Sequence, residues 1–279
     1  MNVSRMSLAT VSTPSSAADQ SAAGTWQVPR FVRRLIVPVS LLVIWQVLAS
    51  YGIINRRFSS SPVDIIAALW KLAVNGQLFD SLWISLVRAF LGLALGGSLG
   101  LLAGLVAGLS RLGEDALDST IQAIRTLPFL GLVPLFILWF GLGETPRILL
   151  VALGTFFPIY LNVFKGIRGV EERLIELGRS YGLNRWELIR DIILPAALPN
   201  ALVGLRYSLG IAWLVLVIAE QINATSGLGW LIIKASELAQ TSVIMMVLAV
   251  YALIGILADA IVRLIETRAL RWQRSFQGA

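Results

Sequence analysis

The residue types in this chain exclude most chemistry before any spacing is considered. Its 279 residues include no cysteine and no histidine. A Ser-His-Asp triad, a thiol nucleophile, a Cys/His zinc site and a disulfide framework are all ruled out. A phosphate-binding loop needs Gly-Lys-[Ser/Thr], and the lysines at 71, 165 and 234 follow Trp70, Phe164 and Ile233. If ATP drives this protein, another subunit binds it; the chain itself is expected to be no enzyme and to carry no cofactor or metal. The side chains left for chemistry are cations and carboxylates in or beside apolar runs: Arg88, Arg125, Arg206 and Glu220. An anion crossing a low-dielectric region needs a compensating cation or dipole. Arg125, just before Thr126-Leu127-Pro128, is therefore a candidate path residue, and Thr126, Phe129, Trp213 and Glu220 are further candidates. The alternative for Arg125 is an arginine that snorkels to the inner surface. Glu220 would repel an anion and is better suited to a gate or to packing. Phe129 and Trp213 serve equally well as bundle core.

These residues sit in a chain that is 57% hydrophobic and 14% charged. Soluble domains carry about 25% charged residues, so the composition predicts a polytopic, all-α membrane protein. The net charge of +7 comes from basic residues clustered between apolar runs, which argues for loops at a membrane and against nucleic acid. Six spans are expected: Leu35 to Ile54, Leu82 to Leu109, Ile121 to Phe140 (interrupted by Pro128 and Pro134), Pro146 to Phe164, Ala201 to Ile222, and Val243 to Ile265. Residues 1–34 read as a disordered cytoplasmic tail, low in apolar period and rich in Ser and Ala. Residues 55–80 read as an outer segment with a turn at Asn55-Arg56-Arg57 and Ser59 to Pro62, then an amphipathic helix from Pro62 to Val74. Residues 81–265 form the transmembrane domain and residues 266–279 a basic tail. Ser110 to Ser119 reads as a polar loop. Asn223 to Ser242 reads as an outer loop with a short re-entrant or surface helix, and the Asn223-Ala224-Thr225 sequon carries no weight. Within the second span Gly92, Gly96, Gly100, Gly104 and Gly108 recur at a spacing of four. Small residues at that spacing let a second backbone approach closely in lipid, either within the bundle or between subunits.

With the N-terminus inside, the inner segments hold Arg30, Arg33, Arg34, Arg111, Lys165, Arg168, Arg173, Arg179, Arg185, Arg190, Arg268, Arg271 and Arg274. The outer ones hold only Arg56, Arg57, Lys71, Arg147 and Lys234. The excess places both termini, and the polar stretch 166–199, in the cytoplasm. That stretch is the longest charged island in the chain. Glu171 to Tyr181 has helical composition, Gly182 can end the helix in a left-handed conformation, and Asn184 with Glu187 can cap the next one. Leu194-Pro195 and Leu198-Pro199 are expected to stop that second helix and turn the chain into the fifth span.

The spacing Glu176, Gly182, Ile192, Leu194, Pro195 resembles the cytoplasmic loop signature of the permease subunits of ABC importers, with Leu177 and Gly178 where two alanines are usual. The resemblance extends over roughly Leu82 to Arg263. The runs LDSTIQAIRTLPFLGLVPLFILWFGLGE, VALGTFFPIYLNVFKGIRG and GLRYSLGIAWLVLVIAEQINATSGLGWLI are similar to permeases for aliphatic sulfonates; nitrate, taurine and bicarbonate permeases share much of the pattern. It implies a type I importer permease fold in the bacterial inner membrane. It further implies a homodimer of the permease, two ATPase subunits that bind ATP and Mg, and an external substrate-binding protein. The loop with Glu176, Gly178, Gly182, Ile192, Leu194 and Pro195 would be the coupling helix that meets the ATPase. A stand-alone secondary transporter, the reading from a different class, would show buried coupling carboxylates or inverted repeats, and neither is evident.

Overall fold

The computed structural model describes residues 30–53, 60–222 and 224–272. The expectations for the tail before residue 30, for the Asn55-Arg56-Arg57 turn, for Asn223 and for the end of the basic tail lie outside them. Helix α1 runs Arg30–Ser50 with Pro38 inside it and closes in a turn at Tyr51 to Ile53. Residues up to Ile44 and residues from Trp45 form two units. The described part of the first is the early portion of α1, apolar and exposed at Val37, Leu41 and Val43.

The second unit begins with the end of α1 and continues through α2 (Pro62–Val74), α3 (Gln77–Leu109), α4 (Arg111–Arg125), α5 (Phe129–Phe140), α6 (Glu144–Arg168), α7 (Glu172–Ser180), α8 (Arg185–Glu187), a π-helical turn Leu188–Ile193, α9 (Leu194–Gln221), α10 (Leu228–Glu237) and α11 (Thr241–Ala269). Helix α2 starts where its residues dictate. Ser61 accepts from the Asp64 amide, Asp64 reaches back to the Ser61 amide, and Pro62, which has no N–H to leave unpaired, opens the first turn.

Among the described residues four helices are long and apolar enough to cross a membrane: α3, α6, α11 and the continuous run Arg185–Gln221. Ile36–Ser50 and Gly131–Phe140 are shorter apolar helices. The fold class is thus all-α and multi-spanning, but the expected six full-length spans are not reproduced: the described residues hold four long helices and these two shorter ones.

Helices α3, α6 and α9 form the centre. The five glycines spaced by four in α3 all turn toward α6. A Cβ at Gly96 would stand 1.9 Å from the Ala152 carbonyl oxygen, at Gly100 2.5 Å from that of Phe156, and at Gly92 2.5 Å from Val151. Their lack of a side chain lets the two backbones close up, as packing in lipid requires. Thr155 Oγ1 donates to the Val151 carbonyl at 3.0 Å, and Ser208 of α9 donates to the Thr155 carbonyl at 2.8 Å, adding polar contacts to the same seam. Core residues Ala89, Val133, Leu150, Val151, Ala212, Val215 and Leu216 fill the space where α3, α5, α6 and α9 meet. A second core beneath α2 and α10 gathers Leu78, Leu228, Leu231, Met246 and Val247.

Two expectations change. Residues 111–119 are helix, with Ser110 as N-cap accepting from the Gly113 amide. The stretch looks like a loop by polarity, but it has a cap and packs Leu117 and Ile121 inward against Ala107 and Tyr160. Tyr160 of α6 donates to Asp118 at 3.0 Å. The third expected span is therefore two helices, parted at Thr126 to Pro128. Pro128 is extended (φ −66, ψ 117), and the residue before a proline avoids the helical region. Second, Pro195 and Pro199 stop nothing: Arg185–Gln221 is one uninterrupted helical run. The π turn Leu188–Ile193 lies immediately before Pro195. Wider i→i+5 bonding there removes the demand for the amide that Pro195 lacks and spreads the carbonyls its ring would strike.

Candidate functional site: a polar helix–turn–helix loop, a cleft and a buried ion cluster

The polar island folds as α7, a glycine corner and α8. Gly182 adopts φ +80, the left-handed conformation for which glycine has no steric penalty. Asn184 accepts from the Trp186 and Glu187 amides at 2.9 and 3.0 Å, and Glu187 returns to the Asn184 amide at 2.7 Å, a complete capping box. Gly178 is buried where α7 crosses the π turn, and a Cβ there would lie 2.6 Å from both Leu188 and Ile192. A Cβ at this position is accommodated only if the ends of the Leu188 and Ile192 side chains shift. Glu176 is exposed, and Leu194 and Pro195 open α9. Leu177, Tyr181 and Trp186 stand more than half exposed on the same loop.

Arg125 and Phe129 flank the α4–α5 break and line an open cleft of about 410 Å³ with Gly154, Asn162 and Tyr207. The remaining path candidates do not join them. The Thr126 hydroxyl folds back on the Ala123 carbonyl at 2.7 Å. Trp213 lines a different, apolar cleft with Leu86, Phe90 and Ile254, and its ring meets that of Tyr251 at 6.2 Å. Arg206 is paired to Asp259 and Glu266 of α11 at 3.3 and 2.5 Å.

Glu220 lies at the end of the bundle opposite the loop, fully buried in an ion cluster. The Ser85 hydroxyl donates to both its oxygens at 2.8 and 2.9 Å, Arg88 Nη1 at 2.8 Å, and the Gly229 amide at 2.9 Å. Arg88, itself 2% exposed, also donates Nη1 to the Ser226 carbonyl at 2.7 Å and its Nε and Nη2 to the two oxygens of Glu144 at 2.5 and 2.6 Å. Arg147 reaches Glu144 at 3.0 Å. Gly227 (φ +112) packs on this cluster with no room for a Cβ, which would meet Glu220 at 2.4 Å. Sequence reasoning named Arg88 and Glu220 separately and did not single out Glu144, Ser85 or Ser226. Opposite charges within apolar helices must find partners, but that rule does not choose between Arg88 and Arg206 as the partner of Glu220.

Residues 96–271 match the family described as binding-protein-dependent transport system inner membrane component. The chain belongs to that family. It is a transport subunit, an integral membrane protein. It is 44% identical, over 89% of its own length and 90% of the other's, to a Bacillus subtilis protein named as aliphatic sulfonates transport permease protein SsuC. It is 47% identical, over 86% and 91%, to the Escherichia coli protein of the same name. The taurine transport system permease protein TauC of Escherichia coli is 34% identical over 85% and 88%. Two solved structures share the fold. One is an amino acid ABC transporter (TM-score 0.56, 21% identity, 72% of this chain and 97% of that one). The other is the MetNI methionine ABC transporter in an inward-facing conformation (TM-score 0.54, 19% identity, 70% and 95%). The architecture is that of type I ABC importer permeases.

Proposed function

We propose that this chain is the permease through which an ATP-driven importer carries aliphatic sulfonates across the bacterial inner membrane. The observation that carries the substrate is the pair of relatives at 44% and 47% identity over nearly their full lengths, both named for aliphatic sulfonates, against 34% for the taurine relative. In this reading two copies of the chain pair, two ATPase subunits bind ATP and Mg, and an external binding protein delivers the substrate. The α7–α8 loop faces the cytoplasm and docks on the ATPase through Leu177, Tyr181 and Trp186, with Gly178 and Gly182 fixing its shape. The cleft at Arg125 and Phe129 is the candidate inner portion of the path, where a guanidinium offsets the anion's loss of hydration.

Deletion of the gene from its host should abolish growth on ethanesulfonate as sole sulfur source while growth on sulfate persists. Unimpaired growth on ethanesulfonate, with loss confined to taurine or nitrate, would overturn the substrate.

A further inference from the structure

We propose that Arg88 and Arg147 form an oxoanion site at the end of the bundle opposite the loop, and that Glu144 fills it in this conformation as a tethered stand-in for the transported anion. The site's existence rests on the geometry; only the choice of a sulfonate as its ligand rests on the function proposed above. The Nε–Nη2 edge of Arg88 grips both oxygens of Glu144, at 2.5 and 2.6 Å, while Arg147 Nη1 closes on Oε1 at 3.0 Å. A guanidinium edge across two oxygens of one acidic group is the arrangement with which arginine holds carboxylates and phosphates. A sulfonate presents two oxygens in the same way.

The two carboxylates of the cluster are not equivalent. Glu220 is wholly buried and is also held by Ser85 and the Gly229 amide. It fixes the far side of Arg88, through Nη1, and so aims the free edge of the guanidinium. Glu144 has a side chain 56% exposed and is the first residue of α6, directly after a turn with positive φ at Gly141 and Gly143. Both glycines have open space around them. Glu144 is the member that can leave without opening the core.

Charge supports the exchange. Arg88, Arg147, Glu144 and Glu220 sum to zero. Without Glu144 the two guanidiniums and Glu220 carry one net positive charge, which a monoanion balances and a dianion exceeds. An alkanesulfonate is a monoanion. Release of Glu144 uncovers the site and its return displaces the anion.

The test uses the full-length permease in lipid nanodiscs, titrated calorimetrically with ethanesulfonate at constant chloride. Glu144→Gln should bind about tenfold or more tighter than wild type, because a competitor that occupies most of the sites lowers apparent affinity by that fraction. The double variant Glu144→Gln/Arg147→Gln should lose the gain. Glu144→Asp, one methylene shorter, should show a smaller gain and serves if the first variant is poorly recovered. Equal affinity in wild type and in both folded Glu144 variants overturns the site. If growth on ethanesulfonate depends on the gene in that case, the substrate assignment stands alone. A gain for taurine or nitrate but not ethanesulfonate upholds the site and removes the sulfonate.

Discussion

Arg88 and Glu220 show why a charge inside an apolar helix has to be read through its partners. Removing one partner of a buried pair leaves the other uncompensated, at a cost of about 3–5 kcal/mol, whereas replacing both with apolar residues costs much less. Arg88→Met strands a Glu220 that has no access to solvent. We expect it to destabilise the folded permease by about that amount in an equilibrium detergent-unfolding titration, and Arg88→Met/Glu220→Leu to cost less than the single change. A strictly additive pair would show that the two side chains do not stabilise one another. This cluster was only half legible in the sequence. The two intramembrane charges are visible as residues that need partners, but Arg88 and Glu220 stand 132 positions apart, and Glu144 falls outside the expected spans, two positions before Pro146. Only the α3–α6–α9 packing brings them together.

At the scale of elements, spacing told more where local chemistry decides, and less where tertiary context does. Helix α2 keeps the bounds Pro62–Val74 because Ser61, Pro62 and Asp64 define its start without outside help. The α7–α8 corner is equally local, set by Gly182, Asn184 and Glu187. By contrast α4 hid behind the polarity of Arg111 to Asp118, since its apolar side becomes meaningful only against α3 and α6. The continuation through Pro195 hid because a π turn leaves no residue signature. The glycine stripe gives the sharpest prediction. Gly96→Ala places a Cβ on the Ala152 carbonyl, so α3 and α6 must separate. It should cost on the order of 1–3 kcal/mol or more and lower the recovery of folded protein. Gly210→Ala in α9 meets nothing within 4 Å and should be neutral or gain up to about 1 kcal/mol. Equal effects of the two changes in thermal melts would mean that the α3–α6 contact is looser than the seam described.

For the whole molecule the outstanding property is orientation, and the chain is well suited to measuring it. With no cysteine of its own, it gives no background to a thiol reagent. Tyr181→Cys and Leu238→Cys lie at exposed positions of the α7–α8 corner and the end of α10. Position 181 should react with an impermeant maleimide only when the inner face of the membrane is accessible, and position 238 from the outside of intact cells. Reversed labelling would turn the basic segments outward and remove ATPase docking from the loop. The unbroken run Arg185–Gln221 then carries one more implication. Its 37 residues make a rod about 55 Å long at 1.5 Å per residue, with the loop at one tip and Glu220 near the other. A swing of about 3° around the loop tip carries the far tip through an arc of about 3 Å, the length of a single hydrogen bond. Turning the π turn and the two prolines that follow it in α9 into a hinge would let the loop move while the far tip stayed still.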